Sequence, residues 1–258
     1  MSNDHEYGKE DDSSIYLLED YSSPVYQAFD ESTEVDETKE ELAQLDLAGT
    51  IADIGSGYGA YLTALRPDWD HYVGVEPNRF LREEARNRAR KLGLRCSFVD
   101  GVAENVPLKA NFADTVLSTY VFGGLDIVPR MRKALEEMAR IAKPGGVLVI
   151  CDLTGGDEDG WTDLLNVAET ARGGLPSREL ADVWIEVFSF LTRHAHIEAM
   201  DRLDIVYRFK DLADAFEKFQ GLIPDLRDNP KVEAAVRHHF REPLLETEGF
   251  LIRATLND

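Results

Sequence analysis

Cysteine is nearly absent from this chain: Cys96 and Cys151 are the only two in 258 residues. Two thiols cannot build a disulfide framework or a four-cysteine metal site, and both lie in apolar runs, where a buried free thiol is the ordinary outcome; no metal site is expected. Long hydrophobic runs are missing too. The longest, GGVLVICDL at 145–153, falls far short of the roughly 20 residues that cross a bilayer. The opening MSNDHEYGKEDDSS lacks the apolar stretch of a signal peptide, so no membrane partner and a cytoplasmic address are expected. Basic residues are scarce as well: 28 Lys and Arg stand against 49 Asp and Glu, a net charge of -21. Fifteen of those acids fall in the first 46 residues, which hold two Lys and no Arg. An acidic surface repels phosphate backbones, which argues against nucleic acid as a partner.

What is present is an alternation of short apolar segments with amphipathic ones. Residues 1–14 are expected to form a disordered acidic tail, and 15–48 a helical cap with Ser22 or Ser23 before Pro24 as its start signal. Strands are predicted at TIADI (50–54), HYVGVE (71–76), RCSFVD (95–100), ADTVLSTYV (113–121) and VLVICDL (147–153). Between them, PNRFLREEARNRARKLG places Leu81, Ala85, Ala89 and Leu92 on one helical stripe, and IVPRMRKALEEMARIAK does the same with Met131, Leu135, Met138 and Ala142. Lys143-Pro144-Gly145-Gly146 then supplies the stop and turn. Strands joined by helices of this length call for a parallel sheet with helices on both faces. The last hundred residues suggest two helices within 160–194, a strand in HIEAMDRLDIVYRF, a helical insertion at about 209–247 and a closing strand, GFLIRATL. The expected fold is α/β: a Rossmann-like, doubly wound, mostly parallel seven-stranded sheet with an N-terminal helical cap and a helical insertion near the C-terminus. Residues 15–258 form one domain, with 49–155 as its cofactor-binding half and 156–258 as its acceptor-side half.

The chemistry starts at Asp53-Ile54-Gly55-Ser56-Gly57-Tyr58-Gly59, where a strand ends in glycines and a helix follows. In an open parallel sheet, ligands sit beyond the carboxyl ends of the strands where strand order reverses. Backbone N–H groups and a helix N-terminus at that crevice favour a ligand that can come close. Two ligands fit the spacing. GSGYGA also matches the dinucleotide fingerprint, with Glu76 about twenty residues on, as a ribose requires. Asp53 beside the glycines suits a cationic group better than a pyrophosphate.

The modules that follow Glu76 decide between them. DGVAENVPL (100–108) follows the third strand, FADTVLSTYVFGGL carries the fourth and LEEMARIAKPGGVLVI leads into the fifth. In this order over residues 50–150 the chain closely resembles the class I S-adenosylmethionine-dependent methyltransferases. The resemblance implies S-adenosyl-L-methionine as cofactor. It places Asp53, Gly55, Gly57 and Gly59 along the methionine part, Glu76 on the ribose hydroxyls and Pro77 on the adenine face. Gly101, Val102, Ala103 and Glu104 would edge the adenine, and Ser118 and Thr119 would face the transferred methyl group. Tyr26 resembles a tyrosine that such families set over the cofactor carboxylate, with an ordinary packed aromatic as its other reading. Two departures stand out: Val102 replaces a frequent Asp, and Phe112-Ala113-Asp114 displaces the acid of the fourth motif by one residue.

Methyl transfer from a sulfonium needs alignment and water exclusion, and an acceptor of high pKa also needs a base. His194, His196, His238 and His239 are the candidates, on position alone. No Asn-Pro-Pro-Tyr type motif is present, so the expected acceptor is an O, N or C nucleophile of a small molecule. A nicotinamide-dependent oxidoreductase and a non-catalytic S-adenosylmethionine-binding protein are the alternatives.

Overall fold

In a computed structural model of the chain, the described residues are 28–29, 31–65, 69–125, 128–154, 160–173, 181–221 and 223–257. Tyr26 and the expected acidic tail lie outside them. The described residues build one eight-stranded sheet in the order β1-β7-β8-β6-β5-β2-β3-β4. Its parallel part is β2 (Gly49–Ile54), β3 (Trp69–Val75), β4 (Cys96–Val99), β5 (Ala113–Thr119) and β6 (Ala142–Leu153). The long strand β8 (Leu244–Leu256) pairs antiparallel with β6, and the long strand β7 (Ala195–Arg208) pairs antiparallel with β8. A short β1 (Thr33–Asp36) closes the far edge against β7. That eighth strand lies within the segment expected to be a helical cap; Thr33 and Val35 are β-branched, and α1 (Glu37–Gln44) follows the strand.

Chain order steps outward from β2 to β3 and β4, then returns to the other side of β2 with β5. The reversal therefore falls between β2 and β5, where Ile54 pairs with Ser118, and the glycine turn begins there. Beneath one face α3 (Val128–Ile141) and α5 (Ala181–His194) bury Met131, Leu135, Met138, Val187 and Leu191. On the other face α1, the 3-10 turn Ala60–Thr63 and α2 (Arg79–Lys91) cover Ile51, Tyr72 and Leu117 with Leu42, Leu62 and Ala85. Of the α2 stripe, Leu81, Ala85 and Ala89 are buried while Leu92, at the cap, is 43% exposed. Helix α3 ends at Ile141, earlier than its Pro-Gly-Gly signal. Ala142 already pairs with Ala113, and the register jumps to Thr115 with Val147. Lys143–Gly146 is thus a bulge inside β6, with Gly145 at φ +67.

A third cluster joins α4 (Gly160–Arg172), α6 (Leu212–Phe219) and α7 (Pro230–His239) around Phe209, Phe216, Phe219 and Phe240. The rings of Phe219 and Phe240 meet edge to face at 4.7 Å. Asp211 and Asn229 start α6 and α7 by accepting Asp214 N at 2.9 Å and Lys231 N at 3.2 Å. Gly160 lets α4 descend onto β8, since a Cβ there would lie 2.5 Å from the Glu246 carbonyl oxygen.

Candidate active site

The three glycines after β2 have different tasks, all at positive φ. A Cβ on Gly55 would meet Val121 Cγ2 at 2.3 Å, and one on Gly59 would meet Leu62 Cδ1 at 2.8 Å. These two admit the chain's own neighbours. A Cβ on Gly57 would meet nothing within 4 Å. Gly57 alone therefore presents bare backbone to open space, and its N–H donates to Glu76 Oε2 at 3.0 Å.

Glu76 closes β3 and is buried, with Oε1 accepting from Asn78 N at 2.8 Å. Each oxygen keeps a further acceptor direction. Burial raises its pKa above the usual carboxylate range, against the pull of those two backbone bonds. Its turn is clamped from below. The Arg82 guanidinium, on the first turns of α2, donates to the carbonyls of Glu76 (2.6 Å) and Pro77 (2.7 Å) and to Asp100 at 3.1 Å. Nothing in the amphipathic pattern of α2 distinguishes Arg82 from its neighbours, and sequence reading passed over it.

Asp53 stands at the end of β2, 5% exposed. Its Oδ2 accepts a short hydrogen bond from the Tyr72 hydroxyl. Burial pushes its carboxyl up from the ordinary 3.8 to about 7, Tyr72 opposing and Glu76 adding to the rise. Gly74 of β3 makes room for the turn: a Cβ would sit 2.5 Å from Ser56 Oγ and 2.6 Å from Phe98 Cδ1. A glycine inside a predicted strand was the available signal for that close approach.

On the β5 side, Ser118 and Thr119 are buried beside Ile54 and the start of the turn. Asp152, near the end of β6, accepts from Phe122 N (2.8 Å), Gly123 N (3.2 Å) and Leu153 N (2.9 Å). Its carboxylate thereby fixes the 3-10 turn Phe122–Gly124 after β5, adjacent to the Val121 that packs on Gly55. Burial raises Asp152 to about 6 despite those bonds. Tyr120 leaves β5 at φ 57, a strained value for a non-glycine residue, and its hydroxyl meets Thr38 Oγ1 of α1 at 2.6 Å.

Gly101–Glu104 form the loop beyond β4. Gly101 accommodates Pro107, whose Cδ would lie 2.4 Å from a Cβ. Val102 pairs with Asn105, Ala103 is buried, and Glu104 is ion-paired with Arg130 of α3. Glu137 and Arg140 of α3 hold the far side of the loop through Val106 N (2.8 Å) and the carbonyls of Val106 (3.0 Å) and Leu108 (2.9 Å).

The four histidines are not brought together with this cluster. His196 pairs with Thr255, which pairs with Val147 at the amino end of β6. The carboxyl end of β6, Leu153, is six residues away, about 20 Å at about 3.3 Å per residue. His194, immediately before β7, shares that opposite edge. His238 and His239 end α7 on the solvent side, both exposed, with His238 Nδ1 3.0 Å from Arg241 Nη2. The expectation that one is a general base in a water-excluded site does not fit this placement.

The described residues suit the cofactor implied by the sequence. Asp53 Oδ1, Ser56 Oγ, Ser118 Oγ, Thr119 Oγ1 and Glu104 Oε2 are buried and meet no hydrogen-bond partner among the described residues. Buried polar atoms are normally paired; these five belong to the end of β2, the glycine turn, the end of β5 and the loop beyond β4, while Trp69 Nε1, at the start of β3, is unpartnered among the described residues as well. Fold and site together make a Rossmann-like α/β domain with a ligand crevice at the strand-order reversal. Consistently, residues 52–150 match the model of the methyltransferase domain family. An uncharacterized methyltransferase of Mycobacteroides abscessus is 29% identical over 129 residues, 48% of this chain and 49% of that protein. The demethylmenaquinone methyltransferase of Clavibacter sepedonicus is 32% identical over 104 residues, 40% of this chain and 41% of that one. The chain thus spans about half or less of the length of these curated relatives. Among solved structures, YcgJ of Bacillus subtilis superimposes with a TM-score of 0.60 at 18% identity, over 90% of this chain and 99% of that one. Over residues 52–150 the chain is thus similar to the methyltransferase domain family.

Proposed function

We propose that the protein transfers a methyl group from S-adenosyl-L-methionine to an O, N or C nucleophile of a small molecule. The observation that carries this is the set of partnerless buried polar atoms on Asp53, Ser56, Ser118, Thr119 and Glu104, at the ends of β2 and β5 and in the loops after β2 and β4. When bound, the cofactor supplies an electrophilic methyl group whose transfer neutralises a sulfonium. In this reading Asp53 meets the amino-acid end, and Glu76 takes the ribose hydroxyls with its remaining acceptor directions. Pro77 and the loop Gly101–Glu104 border the adenine, and Ser118 and Thr119 face the reacting carbon. Tyr26, outside the described residues, keeps its proposed place over the cofactor carboxylate.

The residues of the chain contribute alignment and exclusion of water rather than a described histidine base. In this reading the cluster of α4, α6 and α7 borders the acceptor side. A small acceptor is supported by the net charge of -21 and by the quinone precursor named in the Clavibacter relative. Two measurements test the reading: calorimetry with S-adenosylmethionine, and transfer of labelled methyl to an extracted small-molecule pool. Binding and transfer are expected. Thermal stabilisation by NAD but not by S-adenosylmethionine would instead favour the oxidoreductase, and normal binding without turnover on any acceptor the non-catalytic binder.

A further inference from the structure

Asp53 carries more information than its place in a motif. One of its carboxyl oxygens is tied to the Tyr72 hydroxyl, while the other is buried with no partner among the described residues. Tyr72 is itself 1% exposed and wedged between Trp69 and Phe98, with ring centroids 5.7 and 5.9 Å away. The phenol can neither swing away nor exchange its acceptor for water. From β3 and the turn after it, Asp53 faces Tyr72 and Glu76; Cys96 of β4 stands behind Tyr72, and Tyr61 and Tyr120 pack against the same cluster. Among the described groups setting its protonation there is no Lys, Arg or His. A carboxylate in such surroundings lacks a counter-charge until a cation arrives.

Resting on the cofactor reading above, we propose that Tyr72 is a positioning residue that holds one oxygen of Asp53 and reserves the other for the cationic amino-acid end of S-adenosylmethionine, so that cofactor uptake expels a proton from Asp53 to solvent. The free protein then holds Asp53 largely as the acid below neutrality, consistent with its carboxyl sitting at about 7. In the bound state the ligand's ammonium supplies the missing counter-charge, and the carboxylate is the stable form. The balance is one proton released per cofactor bound, with no redox change and no covalent step.

Calorimetry with S-adenosylmethionine between pH 5.5 and 7.5, in buffers of different ionisation enthalpy, tests this directly. The native protein is expected to release close to one proton at pH 5.5, declining toward pH 7.5, and to bind more weakly by up to tenfold for each pH unit below about 7. Asp53→Asn removes the titrating group and serves as the control for the ligand's own ionisation; its binding should be weak and flat with pH. Tyr72→Phe removes the hydrogen bond that favours the carboxylate. Its binding midpoint should move to higher pH, with affinity at pH 7 reduced several-fold and the loss growing smaller as pH rises. A purely structural role for Tyr72 predicts instead an equal loss at every pH. If Tyr72→Phe does not fold, the proton count of the native protein still decides. Binding with a flat pH profile and no proton release overturns the proposal alone, whereas no binding at any pH overturns the cofactor reading beneath it.

Discussion

Three glycines separated by single residues do different work, and substitution should separate them. At Gly57 an alanine meets only the cost of its positive φ, about 1–2 kcal/mol, because the space ahead of its Cα is open. At Gly55 the same change drives a methyl group to 2.3 Å from Val121. Gly55→Ala should therefore lose clearly more stability in urea denaturation than Gly57→Ala. Cofactor affinity should rank differently: Gly57→Ala, the more stable of the two variants, is expected to lose most of its binding in calorimetry. The glycines themselves were legible in the sequence. Their division of labour was not, because it depends on Val121 and Leu62, which are brought to the turn by other elements.

At the scale of elements, the site is held by anchors that no local pattern announces. Asp152 joins the end of β6 to the turn after β5 through the backbone N–H groups of Phe122 and Gly123. Asp152→Ala leaves the buried Phe122 N–H unmet, at roughly 1–3 kcal/mol for a lost buried partner. Hydrogen exchange at Phe122 and Gly123 should accelerate well beyond that at the centre of β5, and equal acceleration of both would deny Asp152 its anchoring role. The histidines make the complementary case. Alanine at His194 or His196, on the opposite edge of the sheet, should leave methyl-transfer turnover within twofold of the native protein, and so should alanine at the exposed His238 and His239. A hundredfold drop in kcat at any of the four would restore that residue as a base.

For the whole molecule, the acids decide how stability follows pH. Burial raises Asp53 to about 7 and Asp152 to about 6, and raises Glu76 as well. A raised pKa means that the folded chain holds its proton where the unfolded chain has released it, so stability falls as pH climbs from about 4 to about 7. Glu137, Glu186 and Asp225 are lowered by hydrogen bonds from Arg140, Arg132 and Arg172, and their contribution is lost only on acidification through the ordinary carboxylate range. Repulsion within a chain of charge -21 also eases toward its isoelectric point near 4.6. The ligand-free protein should thus melt several degrees higher at pH 5.5 than at pH 7.5. Asp53 alone accounts for about 2 kcal/mol of this, at about 1.4 kcal/mol per pH unit for one proton. Asp53→Asn should flatten that part of the profile and leave the part due to net charge, as followed by calorimetric melting at the two pH values. A higher melting temperature at pH 7.5 in the ligand-free protein would contradict the assignment.

The sequence by itself determined the alternation of strands and helices, the parallel half of the sheet, the glycine turn and the acidic residue after the next strand. Each of these is written in periodicity, in turn chemistry or in a spacing of about twenty residues. Only the tertiary structure decided that β1 joins the sheet, that Lys143–Gly146 bulges within β6, and that Tyr72, Arg82 and Asp152 brace the site while the histidines lie away from it. The reason is one of range. A strand's neighbours and register are settled by pairing between segments as distant as β6 and β8, and two successive antiparallel pairings, β6 with β8 and β8 with β7, run β7 parallel to β6, so that its start lies away from the carboxyl ends of the strands.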